Sequence, residues 1–368
     1  MTTIVHFADL HLDTPFRWAG GELARQRRQD LRDTLDAIVE LAIEVDADAL
    51  SCGGDLYEHE MTAPDTAAVI RQAFARLDRI PVLVAPGNHD HLSARSLYAA
   101  TEWSPNVHLF STAALEPYEL ADGLTVWGAA HLVPANTPNF LAGFHVNRGG
   151  VNVGLFHASL RSSLPFQEDG KQPHAAFDEH EVQAAGLQHA FLGHFHRPTD
   201  RESLTYPGNP EPLGFGEDDE RGAVVAQIHD DGRVTTERRR VARRTMHDVE
   251  VRLDGCTTGQ DVRQRIVAAL DGLTGIARVT LTGEAAPELP LEVPELRDLA
   301  PSLDHVIGRL GRLHVAYDIE AISEETGTVR GQFVRDVFDD QSLDEDVQRR
   351  VLLTGLRALD GRRDLEVG

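Results

Sequence analysis

The chain has 368 residues, 41% of them hydrophobic, with 59 acidic against 35 basic side chains and a formal net charge of −24. That length suits one large and one small domain at roughly 150 residues each, and the charge excludes a protein that coats DNA by electrostatics alone, though not an enzyme whose carboxylates are neutralised by cations. Two cysteines, Cys52 and Cys256, exclude a disulfide framework and a thiolate metal site; no apolar run approaches the ~20 residues of a membrane span, and the first residues carry no leader pattern, so the expected setting is a reducing cytoplasm without a membrane partner.

Residues 3–8 read as a short apolar strand. Residues 30–46 place Leu31, Leu35, Ile38, Ala42 and Val45 at helical spacing. A second strand over 47–52 ends in Gly53-Gly54. A second helix over 64–79 has Thr62 as N-cap, Pro64 in its first turn, and Val69, Ile70, Ala73, Phe74 and Leu77 inward. A third strand, 80–85, runs into Pro86-Gly87. This alternation implies a largely parallel, buried sheet. After Tyr98 the rhythm changes: 124–129, 151–156 and 189–192 read as strands, and 223–229 and 233–240 flank the hairpin signal Asp230-Asp231-Gly232. The layout predicts an α/β fold, a four-layer α/β/β/α sandwich over residues 1–243.

Residues 244–326 predict a small α+β unit: a strand at 247–253, a helix at 259–273 (Val262, Ile266, Leu270 inward), a strand at 277–281 and another at 312–322. Between the last two, 285–301 holds Pro287, Pro290, Pro294 and Pro301 and reads as an extended excursion. The remainder, 327–368, reads as a helical tail over 329–365 with Leu343, Val347, Val351, Leu352, Leu356 and Leu359 on one face.

Five short segments close predicted strands: Asp9-Leu10-His11, Gly54-Asp55, Gly87-Asn88-His89-Asp90, His157, and Gly193-His194-Phe195-His196. In α/β sheets, ligands gather beyond the carboxyl ends of the strands. Carboxylate, imidazole and amide donors together suit manganese, iron or zinc, whereas an all-oxygen set would suggest magnesium or calcium. In Asp-x-His and His-x-His the two side chains leave the same side of an extended chain and reach one region. Singly the segments mean little: Asp-x-His arises by chance, His-x-His is often a surface pair, and Asn88-His89-Asp90 suits an Asx turn. The specific signal is five of them in this order.

The set resembles the signature of the calcineurin-like metallophosphoesterases, over about the first 240 residues. The resemblance implies one divalent metal held by Asp9, His11, Asp55 and His196 and a second by Asp55, Asn88, His157 and His194, with Asp55 bridging. Such a pair clamps a phosphate and activates water. His89 is implied as the acid at the leaving oxygen. Glu58, three residues after Asp55, is the candidate to orient His89, with Asp90 as its competitor and a solvated loop position as the plain alternative. Manganese is the first expectation for the metal, with magnesium, iron and zinc behind it.

Within that superfamily three features resemble the SbcD-type DNA repair exonucleases and their YhaO-like branch: the opening 4–13, the turn Tyr206-Pro207-Gly208-Asn209-Pro210, and the added α+β unit with its tail. The ending 354–362 also resembles the YhaO-like branch. The resemblance implies a capping domain, tail helices that dock on an SMC-like coiled-coil ATPase, a homodimer, and DNA as substrate. Arg161 and Arg197, beside metal-loop histidines, are candidate phosphate contacts. Arg25, Arg27, Arg28, Arg32 and the run 238–244 are weaker ones, against a plain reading as solvated faces. The competing functions are a small-molecule phosphodiesterase or phosphatase on the same fold, and a DNA-end tethering scaffold.

Overall fold

In the computed structural model, which describes residues 1–166, 173–217, 220–287, 289 and 299–361, the chain divides into two units, Met1–Arg244 and Thr245–Gly368. The first runs β1 (Thr2–Phe7), α1 (Gly21–Glu44), β2 (Ala49–Cys52), α2 (Thr66–Ala75), β3 (Val82–Val84), α3 (Leu97–Ala100), β4 (Val107–Leu109), β5 (Glu116–Ala121) and β6 (Leu124–Gly128). It continues with β7 (Val151–His157), α4 (Glu179–Ala184), β8 (His189–Gly193), β9 (Thr199–Asp200), β10 (Leu204–Tyr206), β11 (Ala223–Ile228) and β12 (Val234–Arg239).

Side-chain alternation along the strands builds the layers. Ile4, Ala49 and Leu83 face Val126, Val153 and Phe191 in a core between two six-stranded sheets. On the outer side of the first sheet, Val5, Phe7 and Leu50 pack on Leu31, Leu35 and Ile38 of α1 and Phe74 of α2. On the outer side of the second, Trp127, Phe156 and Leu192 pack with Val182 of α4. The result is the four-layer α/β/β/α sandwich. The sheet orders are β12-β11-β1-β2-β3-β4 and β5-β6-β7-β8-β10-β9. β1 to β4 are mutually parallel, as are β6, β7, β8 and β10, so each sheet brings several carboxyl ends to one edge.

The first helix begins at Gly21, nine residues before the expected start. The reason is Arg27, which is fully buried in what should be an apolar stripe. Its guanidinium pairs with Asp30 at 2.7 Å and Glu211 at 2.6 Å, so a charge occupies a core position and breaks the hydrophobic period. The second helix is shorter than expected and starts after Asp65; Thr62 instead donates its hydroxyl to the His59 carbonyl.

The second unit is a three-stranded parallel sheet, β13 (Met246–Arg252), β14 (Gly275–Ala285) and β15 (Leu303–Val315), with α5 (Gly259–Leu270), α6 (Ile319–Ser323), α7 (Val329–Asp339) and α8 (Glu345–Leu359). Two expectations are corrected. The last strand starts at Leu303, and 319–323 is helical, capped by Asp318, whose carboxylate accepts from the Ala321 amide at 3.0 Å. Parallel pairing of β14 and β15 requires a crossover between them; Pro290 and Pro294, in the stretch expected to be an extended excursion, lie outside the described residues. Part of the tail's apolar face is covered, while Leu359 stays 47% exposed. The tail forms two helices whose Val334, Val337, Leu352 and Leu356 share one core with Ile266 and Val279. Arg362 and Leu365 lie outside the described residues.

Candidate metal centre

Each proposed ligand sits just past, or at the end of, a parallel strand. Asp9 and His11 follow β1, Asp55 follows β2, Asn88 follows β3, His157 ends β7, and His194 and His196 follow β8. Backbone bonds hold the loops together: the Asp9 amide donates to Gly54 O at 2.9 Å, and the His11 amide to Asp55 O at 2.9 Å. The sheets are joined at the site itself, because His157 Nδ1 donates to Gly53 O at 2.9 Å and the His194 amide donates to Asp9 Oδ1 at 2.9 Å.

The close approach requires glycine at two places. A Cβ on Gly87 would overlap Asp55 Oδ1, and one on Gly193 would overlap the Gly53 carbonyl. Four of the proposed ligands adopt left-handed backbone, with φ of 56° at Asp9, 52° at His11, 53° at Asp55 and 110° at His194. Such conformations cost on the order of 1–3 kcal/mol each and persist where surrounding structure imposes them, chiefly at functional sites.

Two convergence points result. At the first, His11 Nε2 lies 3.2 Å from His196 Nε2. Their other nitrogens are engaged, His11 Nδ1 with Glu58 Oε1 at 2.7 Å and His196 Nδ1 with Glu217 Oε1 at 3.2 Å. In the neutral rings both Nδ1 atoms donate, so both Nε2 lone pairs face one point, alongside the carboxylate of Asp9. Two facing lone pairs repel unless an electrophile lies between them. At the second point, His157 Nε2 lies 3.2 Å from Asp55 Oδ2 and 3.1 Å from Asn88 Oδ1. The His194 ring stands 5.2 Å from that of His157, centroid to centroid. Both donor sets fit a borderline divalent cation.

The electrostatics agree with a site built for positive charge. Burial opposes ionisation of Asp55, but His157 and His89 hold its carboxyl well below the usual range. Burial likewise opposes protonation of His157, yet the Asp55 carboxylate raises it to about 9. Burial would lift Glu58, but hydrogen bonds from His11 and His89 bring it down to about 2.

Glu58 reaches both histidines, with Oε2 3.0 Å from His89 Nδ1. The His89 side chain stays 42% exposed, at the rim. Asp90 faces elsewhere: it is fully buried and accepts from the amides of Gly87 (2.6 Å), Asp55 (3.1 Å) and Leu56 (2.8 Å) and from the Tyr98 hydroxyl (2.5 Å). It fastens the loops after β2 and β3. Arg161 is also turned away, donating to Ala176 O at 2.7 Å and pairing with Asp178 at 3.3 Å. Arg197 is exposed next to His196. Within 238–244, Arg238 pairs with Asp200, Arg239 with Glu44 and Arg244 with Asp30.

Sequence reading missed Glu217. Its Oε2 collects Asn209 Nδ2 at 2.8 Å and the Leu213 amide at 2.6 Å while Oε1 orients His196. It lies in irregular chain, so no period or strand end marked it. The turn at Tyr206–Asn209 has its role here too: the Tyr206 hydroxyl donates to Ala158 O at 2.7 Å, and Asn209 braces Glu217.

The calcineurin-like phosphoesterase family model matches residues 2–198. The chain is similar to the "Uncharacterized metallophosphoesterase YhaO" of Bacillus subtilis, 26% identical over 241 residues, 61% of this chain and 57% of that protein. It is similar to the "DNA double-strand break repair protein Mre11" of Methanopyrus kandleri, 27% identical over 255 residues, 60% of this chain and 51% of the relative. The protein of that name from Haloferax volcanii is 27% identical over 300 residues, 80% of this chain and 64% of the relative. The chain thus covers about half to just under two thirds of these relatives' lengths. Since the family model takes in more than half of the residues and ends just beyond His196, the last of the convergent side chains, the chain belongs to the calcineurin-like phosphoesterase family.

Proposed function

We propose that this metallophosphoesterase is a phosphodiester hydrolase acting on DNA, an exonuclease or endonuclease subunit in DNA repair that works as a homodimer with an SMC-like coiled-coil ATPase. The observation that carries the hydrolase chemistry is the pair of convergence points with His89 held at their rim by Glu58. Two divalent ions, manganese first, would be held by Asp9, His11, Asp55 and His196 and by Asp55, Asn88, His157 and His194, and would supply phosphate polarisation and water activation. The chain's own groups do the rest. Glu58 accepts from His89 Nδ1–H and so supports the doubly protonated ring, whose Nε2–H can pass its proton to the leaving oxygen. The same carboxylate orients His11 and so ties the acid to the metal site. Asp90 keeps the loops in register.

Support for DNA comes from the relatives named as double-strand break repair proteins. The net charge of −24 favours a second reading, a small-molecule phosphodiesterase or phosphatase. The test compares manganese-dependent turnover of linear DNA, a chromogenic diester and a chromogenic monoester. Cleavage of DNA and diester is expected; strong monoester turnover without DNA cleavage sinks the nuclease reading. Pull-down of a coiled-coil ATPase and light scattering test the partner and the dimer.

A further inference from the structure

Building on the proposed action on a polynucleotide, we infer that a cavity beside the metal centre binds a backbone phosphate flanking the scissile one, through Arg25 and Arg28. The cavity has a volume of about 340 Å³ and is walled by Asp13, Arg25, Arg28, Arg32, Met61 and Ala63. Its floor consists of the two loops that carry the centre. Asp13 lies two residues beyond His11, and Met61 and Ala63 follow Glu58. Those loops are bonded to each other through Leu12 N to Leu56 O at 3.0 Å, Glu58 N to Leu12 O at 2.9 Å, and Ala63 N to Asp13 Oδ2 at 2.9 Å. The cavity therefore shares its floor with the loops that carry the proposed ligands Asp9, His11 and Asp55.

The opposite wall is α1, where Arg25, Arg28 and Arg32 share one side at i, i+3 and i+7. Their commitments differ. Arg32 makes a two-pronged pair with Asp65 at 2.7 and 2.9 Å and lies 3.8 Å from Asp13. Asp13 is satisfied by the Thr66 hydroxyl at 2.5 Å and the Ala63 amide. Among the described residues, Arg25 and Arg28 have no carboxylate partner, in contrast to buried Arg27 between them. A chain with a net charge of −24 thus keeps two uncommitted guanidinium groups in one concavity, each with five donors set for oxyanion recognition. Met61, 50% exposed at the rim, adds apolar surface that suits a sugar or base. Free phosphate offers the same oxygens, so the test must separate it from a polynucleotide.

The experiment uses the full chain with manganese and the double variant Arg25→Gln/Arg28→Gln. For a single-stranded oligonucleotide, KM is expected to rise about tenfold, and the slope of its logarithm against log salt to fall by about 1.4, the counterion term of two lost contacts on single-stranded DNA. Turnover of the chromogenic diester, and its inhibition by inorganic phosphate, should match wild type. An unchanged oligonucleotide KM and salt slope overturns the inference while leaving the nuclease reading standing. Equal weakening of the chromogenic diester, or loss of phosphate inhibition, overturns it in favour of contact with the scissile phosphate or a small anion. Wild type that hydrolyses the chromogenic diester but neither binds nor cleaves the oligonucleotide removes the nuclease reading, and this inference with it.

Discussion

The two units bury different things. Among the described residues, every buried aspartate, glutamate, histidine and arginine belongs to the first, from His6 to Arg221. Among the described residues, every non-glycine residue with positive φ lies there as well, from Asp9 to His194. The second unit buries apolar side chains around Ile266, Val279 and Leu356 and places its charges outside, as in the pairs Arg278–Asp248 and Arg330–Glu325. Buried charge and left-handed backbone are both unfavourable. The second unit avoids them, whereas the first concentrates them around the proposed metal centre. Asp9, Asp55 and His157 are individually costly, and together they form one of the clusters that could hold a metal ion.

The sharpest way to break this comparison is Asp55→Asn, which removes the carboxylate shared by both convergence points. Manganese-dependent diester hydrolysis should fall by about a thousandfold or more, with the thermal transition of the second unit unmoved. Retained activity would mean that the strained, charged interior of the first unit serves something else.

Leu356→Ala probes the other side. Leu356 is fully buried in the second unit's core, so its truncation should cost about 2–5 kcal/mol. Denaturant unfolding should show the second unit destabilised by that amount while chromogenic diester turnover at 25 °C is unchanged. It also tests the packing of α7 and α8: were the α8 face an open docking surface, the change would be near zero.

Glu217→Gln should weaken the hold on His196 Nδ1. Weakening an orienting carboxylate typically lowers metal affinity 10–100-fold, which competition with a fluorescent chelator reads directly. Unchanged affinity would show that the 3.2 Å contact to His196 Nδ1 does not position that ring.

The smallest expected effect is on pH dependence. Burial holds His6 and His189 down at about 4 and His131 at about 3. Each is neutral in the fold but takes a proton near 6.5 when unfolded. Their contribution to stability is complete above pH 6.5 and is lost as pH falls toward 4. His157 acts oppositely, its contribution being lost as pH rises through about 9. His6→Gln keeps partners for Ser51 and Leu192, so between pH 6.5 and 4 it should flatten the first unit's stability slope by up to about 1.4 kcal/mol per pH unit. An unaltered slope would show that His6 is not the neutral group its burial implies.

The candidate site was more legible than its surroundings. Each proposed ligand closes a strand whose apolar run is visible, so local pattern picked out the five segments, while the resemblance supplied the proposal that Asp9, His11, Asp55, Asn88, His157, His194 and His196 are ligands. Glu58 was legible only in part: its place three residues after Asp55 suggested it through the family resemblance, while its bonds to His89, 31 residues away, and to His11 depend on how β1, β2 and β3 pair. Arg161 shows the limit of the reading: its guanidinium bonds to the Ala176 carbonyl and Asp178, because a neighbour in sequence to a metal-loop histidine need not point the same way. Arg27 hid the start of α1, since a buried charge with long-range partners looks like solvent exposure in a one-dimensional pattern.

The sequence by itself determined the parallel sheets, the strand-end residues and their order, because periodicity of two and of 3.6 and the placement of glycines act over a few residues. It also marked an amphipathic tail. Tertiary structure alone decided what covers that tail, where Asp90 directs its carboxylate, that Glu217 reaches His196 across 21 residues, and that Arg25 and Arg28 remain uncommitted while Arg27 and Arg32 are paired. The physical reason is common to all four: a side chain's role is set by its partners, and these partners come together only when the sheets, loops and helices have closed around them.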